Sequence, residues 1–202
     1  FEVVRFSTEA ETLFSELKEV SKASREKALN FVKGLKPIGG TAINDAMSET
    51  LKLRPKDSKR PFVVIFLTDG RPTVGITGES QIVKNVKDVA GKSRVFCFGI
   101  GNDVNTHLLD KITESTRAFS QYVLPSEDIE VKVSQFYTKI NEPVMADPDV
   151  VVSWEVALKQ FYPVPLPDLF KGDQLVVTGR YSGKGKGDLL LAGLVNGKKV
   201  KM

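Results

Sequence analysis

The chain has 202 residues, of which 41% are hydrophobic, 8% aromatic and 27% charged, with one cysteine and a formal net charge of +4. That composition excludes a disordered chain, a collagen-like repeat and a disulfide scaffold, and leaves room for one full α/β domain plus a smaller piece. The longest apolar run, Phe62–Leu67, is strand-sized and far short of the roughly 20 residues of a membrane-spanning helix. The charge excess is local: residues 182–202 hold five lysines against Asp188, so residues 1–181 balance at 24 cations and 24 anions. Lysines set among glycines, without arginine, read as a solvated hairpin and not as a nucleic-acid surface.

FEVVRFST (1–8) alternates as a strand, with no signal-peptide pattern, and AETLFSEL fits a short edge strand. SREKALNFVKGLK places Ala28, Phe31, Val32 and Leu35 on one helical face, with Ser24 as the expected N-cap and Gly34 at the end. After the Gly39-Gly40 turn, Ile43, Met47, Thr50 and Leu51 form a second helical face. PFVVIFLTDG is a continuous apolar run, the pattern of a parallel strand buried on both faces.

A helix over 78–91 carries Ile82, Val83, Val86 and Val89, and a strand is expected over 94–100. There follow a helix over 104–116 with Leu108, Leu109 and Ile112, a strand over 118–124, and a helix over 126–141 with Ile129, Val133, Phe136 and Ile140. This alternation predicts a Rossmann-like, doubly wound, mostly parallel α/β sheet. At NEPVMADPDV the pattern breaks, so the expected domains are 1–142 and a β-rich, incomplete segment over 143–202. That segment reads as short strands, with a proline-rich link, YPVPLPDLF, and a type I′ hairpin signal at Val195-Asn196-Gly197-Lys198. Trp154, alternating with apolar neighbours, reads as core of this segment.

Cys97 lies in a strand pattern and reads as a small buried hydrophobe. Without a second cysteine no intrachain disulfide forms, which suits a reducing compartment and disulfide-free surface domains alike. Two polar clusters fall where α/β sheets place their sites, at the C-terminal ends of strands: Gly39-Gly40-Thr41 and Thr68-Asp69-Gly70. A hydroxyl and a carboxylate are hard oxygen donors suited to Mg²⁺ or Mn²⁺, although each cluster also fits ordinary turn and cap chemistry.

GGTAINDAM, FLTDGRPTVG and FCFGIG together resemble a von Willebrand factor A (vWA) domain. FLTDGRPTVGIT, followed by VVVSWEVALKQFYPVPLPDLFKGDQLVVTGRYSG, is similar to the inter-alpha-trypsin inhibitor heavy chains and their bacterial relatives. The resemblance implies a non-enzymatic protein-binding and adhesion module with a metal-ion-dependent adhesion site (MIDAS), in which Mg²⁺ or Mn²⁺ is completed by an acidic group of a protein partner. Thr41 and Asp69 match two of its three ligand loops. The third, Asp-x-Ser-x-Ser, is absent from these residues, so the expected site is partial, with no ion or a weakly held one. FEVVRFST resembles the family's second strand, so the expectation is a vWA domain lacking its first strand and helix, with possible self-association through two exposed sheet edges. An extracellular, periplasmic or cell-surface location is implied in the same way.

Two other readings compete. A nucleotide-binding enzyme would use the loop Gly99-Ile100-Gly101-Asn102-Asp103-Val104, but Val104 replaces the third glycine of that fingerprint. His107 is the single histidine, without a G-x-S-x-G nucleophile, and reads as capping or solvent-facing. The last reading is a purely structural module whose metal site is vestigial.

Overall fold

A computed structural model describes residues 1–56, 62–141, 143–152 and 157–202; Trp154, expected in the β core, lies outside the described residues. The chain opens with two short strands, β1 (Val4–Phe6) and β2 (Ala10–Thr12), paired antiparallel. Helix α1 (Lys22–Lys33) follows. Its N-cap is Ser21, and Ser24 is the third helical residue, contrary to the expected cap at Ser24. The two serines satisfy each other reciprocally: the Ser24 amide donates to Ser21 Oγ at 3.1 Å and the Ser21 amide to Ser24 Oγ at 2.9 Å. A serine at either position can supply a hydroxyl, and this capping box sets the start one turn earlier.

Helix α2 (Ile43–Lys52), strand β3 (Val63–Thr68), helix α3 (Glu79–Ala90), strand β4 (Arg94–Ile100), helix α4 (Thr106–Ser115), strand β5 (Ser120–Val123) and helix α5 (Ile129–Asn141) continue the predicted alternation. Strands β3, β4 and β5 form a parallel sheet in that order. On one face α2, α3 and α4 bury Ile43, Met47, Leu51, Ile82, Val86, Leu108, Leu109 and Ile112 against Val64, Phe66, Val95 and Cys97. On the other face Phe96, Phe98 and Val123 pack against Phe136 of α5. The apolar periodicity of α2 and α4 thus marks their buried stripes.

Three expected faces are only partly buried. Val32 and Leu35 are exposed, leaving Ala28 and Phe31 as the half-buried residues of the α1 stripe. Val89 of α3 and Ile129 and Val133 of α5 are also exposed. The largest departure is β3, which was expected to be buried on both faces. Val64 and Phe66 point into the core, whereas Val63, Ile65 and Leu67 are 44%, 48% and 46% exposed. No described helix lies over that side of β3, and no described strand pairs with its outer edge.

The β1–β2 hairpin stands beside this edge without pairing to it. Phe6 stacks on Phe66 at 5.1 Å between centroids and 19° between planes, so the two sheets meet through side chains and not through backbone hydrogen bonds.

The rest is β structure: β6 (Pro143–Val152), β7 (Ala157–Tyr162), β8 (Leu169–Phe170), β9 (Thr178–Ser182), β10 (Leu189–Val195) and β11 (Lys198–Lys201). One sheet has the order β11-β10-β6-β8, and β7 pairs with β9. The predicted turn is present: Val195 pairs with Lys198, and Asn196 and Gly197 have φ of 50° and 74°, the left-handed pair a type I′ turn requires. The expected strand DQLVVTGRYS is shorter, because 173–177 carry no strand structure before β9.

Candidate metal-ion site

Three loops meet at the C-terminal edge of the strands. The Ser7 carbonyl, just after β1, accepts the Ala42 amide at 2.8 Å, and Thr8 Oγ1 accepts the Gly40 amide at 3.3 Å. Thr41 is tied to the loop after β3 twice: its amide donates to Thr73 Oγ1 at 2.8 Å, and its carbonyl accepts the Thr73 amide at 3.0 Å. A Cβ placed on Gly70 would lie 3.7 Å from Thr41 Oγ1, which sets the Thr68-Asp69-Gly70 turn directly against Thr41. Gly39, with φ of 91°, brings the backbone so close to Thr8 that a Cβ would sit 2.6 Å from its Oγ1; here glycine is a requirement of the packing.

The two candidate ligands therefore share one sheet edge. Thr41 is half-buried and Asp69 exposed. The cap of α2 is Ala42, which offers no side-chain bond, so Thr41 is not spent as a helix cap. Among the described residues neither the Thr41 hydroxyl nor the Asp69 carboxylate has a hydrogen-bond or ion-pair partner, so both are available to a ligand. Asp45, in the first turn of α2, is held by the Asn44 side-chain amide at 3.0 Å and lies beside Gly75.

The donor set fits a hard cation in kind: a carboxylate and a hydroxyl, with no soft ligand nearby. It does not fill an octahedron. Among the described residues no group of three or more His, Cys, Asp or Glu side chains is placed to hold a metal ion. Two protein oxygens leave most of six positions to water and to groups from elsewhere. Ser7, Thr8 and Thr73, which build the frame around Thr41, were not singled out in the sequence. Ser-Thr at the end of a strand was the available signal for the first two.

A second polar group decorates the neighbouring rim. Glu79 at the start of α3 accepts from Asn105 Nδ2 at 2.8 Å, and its other oxygen lies 2.6 Å from His107 Nδ1. The Asn105 hydrogen bond, followed by that of His107, holds the Glu79 carboxyl below its ordinary range. His107 is thus an exposed hydrogen-bond partner of Glu79 that ties α4 to α3.

The glycine loop after β4 is built for packing. A Cβ on Gly99 would collide with Val104 Cγ1 at 2.6 Å and with the Tyr122 ring at 2.7 Å. The Asn105 side chain already takes the Leu108 amide at 3.1 Å. A phosphate at this helix N-terminus would have to compete with Asn105 for the Leu108 amide. Cys97 is fully buried, and burial pushes its thiol pKa well up, which removes it as a nucleophile.

The family model for the von Willebrand factor type A domain matches residues 1–122. Inter-alpha-trypsin inhibitor heavy chain H4 of Homo sapiens is 31% identical over 98% of this chain and 22% of its own length. Heavy chain H1 of Homo sapiens is 26% identical over 89% of this chain and 20% of its own length. The chain thus spans about a fifth of the curated relatives it matches. A solved von Willebrand factor type A structure from Catenulispora acidiphila superposes with a TM-score of 0.70 at 18% identity, covering 100% of this chain and 55% of that one. Proximal thread matrix protein 1 from the mussel byssus, described with a zinc-occupied MIDAS motif, gives a TM-score of 0.52 at 25% identity over 67% of this chain and 33% of its own.

Proposed function

The chain belongs to the von Willebrand factor type A family, and from that premise we propose that it is a non-enzymatic adhesion module that binds a protein partner through a divalent cation. Thr41 and Asp69 supply the cation's protein oxygens from this chain, and Mg²⁺ or Mn²⁺ is the ion that suits them. When bound, the ion offers an open coordination position to an acidic side chain of the partner. The Thr41–Thr73 bonds fix the spacing of the two loops, and the exposed Asp69 carboxylate faces the approaching partner. The observation that carries this reading is that two oxygen donors without partners among the described residues converge on one sheet edge. On this reading the site belongs to residues 1–142, and the module works outside the cytoplasm, at a cell surface, in a periplasm or in an extracellular space.

Self-association forms a second part of the proposal. The outer edge of β3 and its apolar side, Val63, Ile65 and Leu67, offer backbone and side chains to a strand of a second copy. Light scattering is expected to give a mass above that of one chain, and a strictly monomeric chain overturns this part alone.

Calorimetric titration of Mn²⁺ into the chain tests the cation reading, with Asp69→Ala and Thr41→Ala as controls. Binding that Asp69→Ala abolishes and Thr41→Ala weakens supports it. No heat with any of the three chains favours the alternative, a structural module with a vestigial site. The shortage of acidic ligands among the described residues supports that alternative.

A further inference from the structure

At the opposite end of the sheet from Thr41 and Asp69, the two parts of the chain are joined by a compact set of charges. Arg94, the first residue of β4, donates through Nε to Asp168 Oδ2 at 2.6 Å and through Nη2 to Asp168 Oδ1 at 3.1 Å and Asp147 Oδ1 at 2.7 Å. Asp168 also accepts the Asp147 amide at 2.9 Å. Arg117, in the turn before β5, reaches the Leu166 carbonyl at 2.8 Å and the Pro148 carbonyl at 3.2 Å through Nη1. Its own carbonyl accepts the Asp168 amide at 3.0 Å. The Arg94 and Asp168 side chains are 11% and 9% exposed, so the pair is desolvated, and the Arg94 bonds to Asp168 and Asp147 cross from the α/β unit to the β segment.

A second contact lies beside it. Phe170 of β8 completes an aromatic group with Phe96 and Phe119, at 6.0 and 5.8 Å between centroids, while Phe136 of α5 packs on Phe98 at 4.5 Å. Lys139, near the end of α5, pairs with Asp173 at 2.7 Å and lies 4.1 Å above the Phe119 ring. Helix α5 buries one residue in full, Phe136, so its own stripe holds it weakly. The β segment supplies the missing grip.

We infer that β6, β8 and the residues from Leu166 to Asp173 act as a brace: the Arg94–Asp168–Asp147–Arg117 clamp, the Phe170 ring contacts and the Asp173–Lys139 pair lock α5 and the lower edge of β4 and β5. The α/β unit and the β segment then form one cooperative body, although the sequence pattern changes between them. Breaking a desolvated ion pair leaves an uncompensated charge, which is why the clamp is a lock and not a surface ornament.

The intact chain offers two separate reporters. All described helices lie within residues 22–141, and Trp154 is the single tryptophan. Thermal unfolding followed by helical circular dichroism and by tryptophan fluorescence is expected to give coincident transitions. Arg94→Met is expected to lower both midpoints together, by roughly 6–20 °C. Arg94→Lys, which keeps the charge but loses the fork, is expected to fall between. Wild-type transitions that separate, or an Arg94→Met shift confined to the fluorescence, overturn the brace. If Arg94→Met does not fold, the wild-type comparison and the milder Asp173→Asn, expected to speed amide exchange in α5, decide it.

Discussion

Strands β3 and β4 are parallel neighbours of almost the same character, VVIFLT and RVFCFGI, yet they have opposite fates. In β4, Val95, Phe96, Cys97 and Phe98 are all at most 2% exposed. In β3 every second residue is near half-exposed. Composition is not the cause. β4 lies between two paired strands, with α2–α4 on one face and α5 with β8 on the other, whereas among the described residues β3 has one paired edge and one covered face. An apolar run therefore states a capacity for burial; its place in the sheet decides how much of that capacity is used.

The contrast can be broken most forcefully at the centre of β4. Phe98→Ala is expected to cost about 3–5 kcal/mol, since the ring is enclosed and a cavity would remain. Ile65→Ala in β3 is expected to cost the dissociated chain no more than about 1 kcal/mol, because half of that side chain then meets water. Urea denaturation of the two variants beside wild type measures the difference, and equal losses would contradict the exposed face of β3.

Thiol labelling sharpens the same point. Cys97 is expected to resist iodoacetamide in the folded chain, being buried with its pKa raised. At a dilution that keeps the chain monomeric, an Ile65→Cys thiol should react faster by about 10²-fold or more. Comparable rates would place the two strands in the same environment.

A polar substitution tests whether the bare face of β3 is an interaction surface. Ile65→Ser with Leu67→Ser is expected to leave the unfolding free energy of the dissociated chain within about 1 kcal/mol of wild type while lowering the mass seen by light scattering. An unchanged mass would separate that face from self-association.

The smallest expected effect concerns the rims. The rim near β4 is pinned by Glu79, Asn105 and His107, while Asp69 after β3 is free of partners among the described residues. Because the folded Glu79 carboxyl is held below its ordinary range, its stabilisation is present above the unfolded pKa and is lost as pH falls through the folded one. The difference between wild type and Glu79→Gln in urea midpoint should thus be present at neutral pH and vanish in acid. With a side chain 41% exposed, it should also shrink in high salt. A difference that grew on acidification would reverse the assignment.

Much of the fold was legible because burial leaves a period in the sequence. The stripe Ile43, Met47 and Leu51 and the triad Leu108, Leu109 and Ile112 announced helices that the core does enclose. Boundaries were less legible where two residues could do the same work, as with Ser21 and Ser24. Of the candidate site, Thr41 and Asp69 could be named from their motifs. Ser7, Thr8 and Thr73 could not, since their role is to hold a loop that is distant in sequence. The Arg94–Asp168 pair was invisible for the same reason: 74 residues separate its members, and nothing local to either one names the other.

The sequence by itself determined the alternation of strands and helices, the vWA kinship and the Asn196-Gly197 turn, and it nominated two candidate oxygen donors. All of these rest on local stereochemistry, on hydrophobic period or on contiguous motifs. Tertiary structure alone decided that one side of β3 stays bare among the described residues, that α1 leaves most of its stripe in water, and that the β segment grips the foot of the sheet. Those outcomes depend on which surfaces meet across long separations, and a hydrophobic pattern records how much a residue gains from being covered without recording what arrives to cover it.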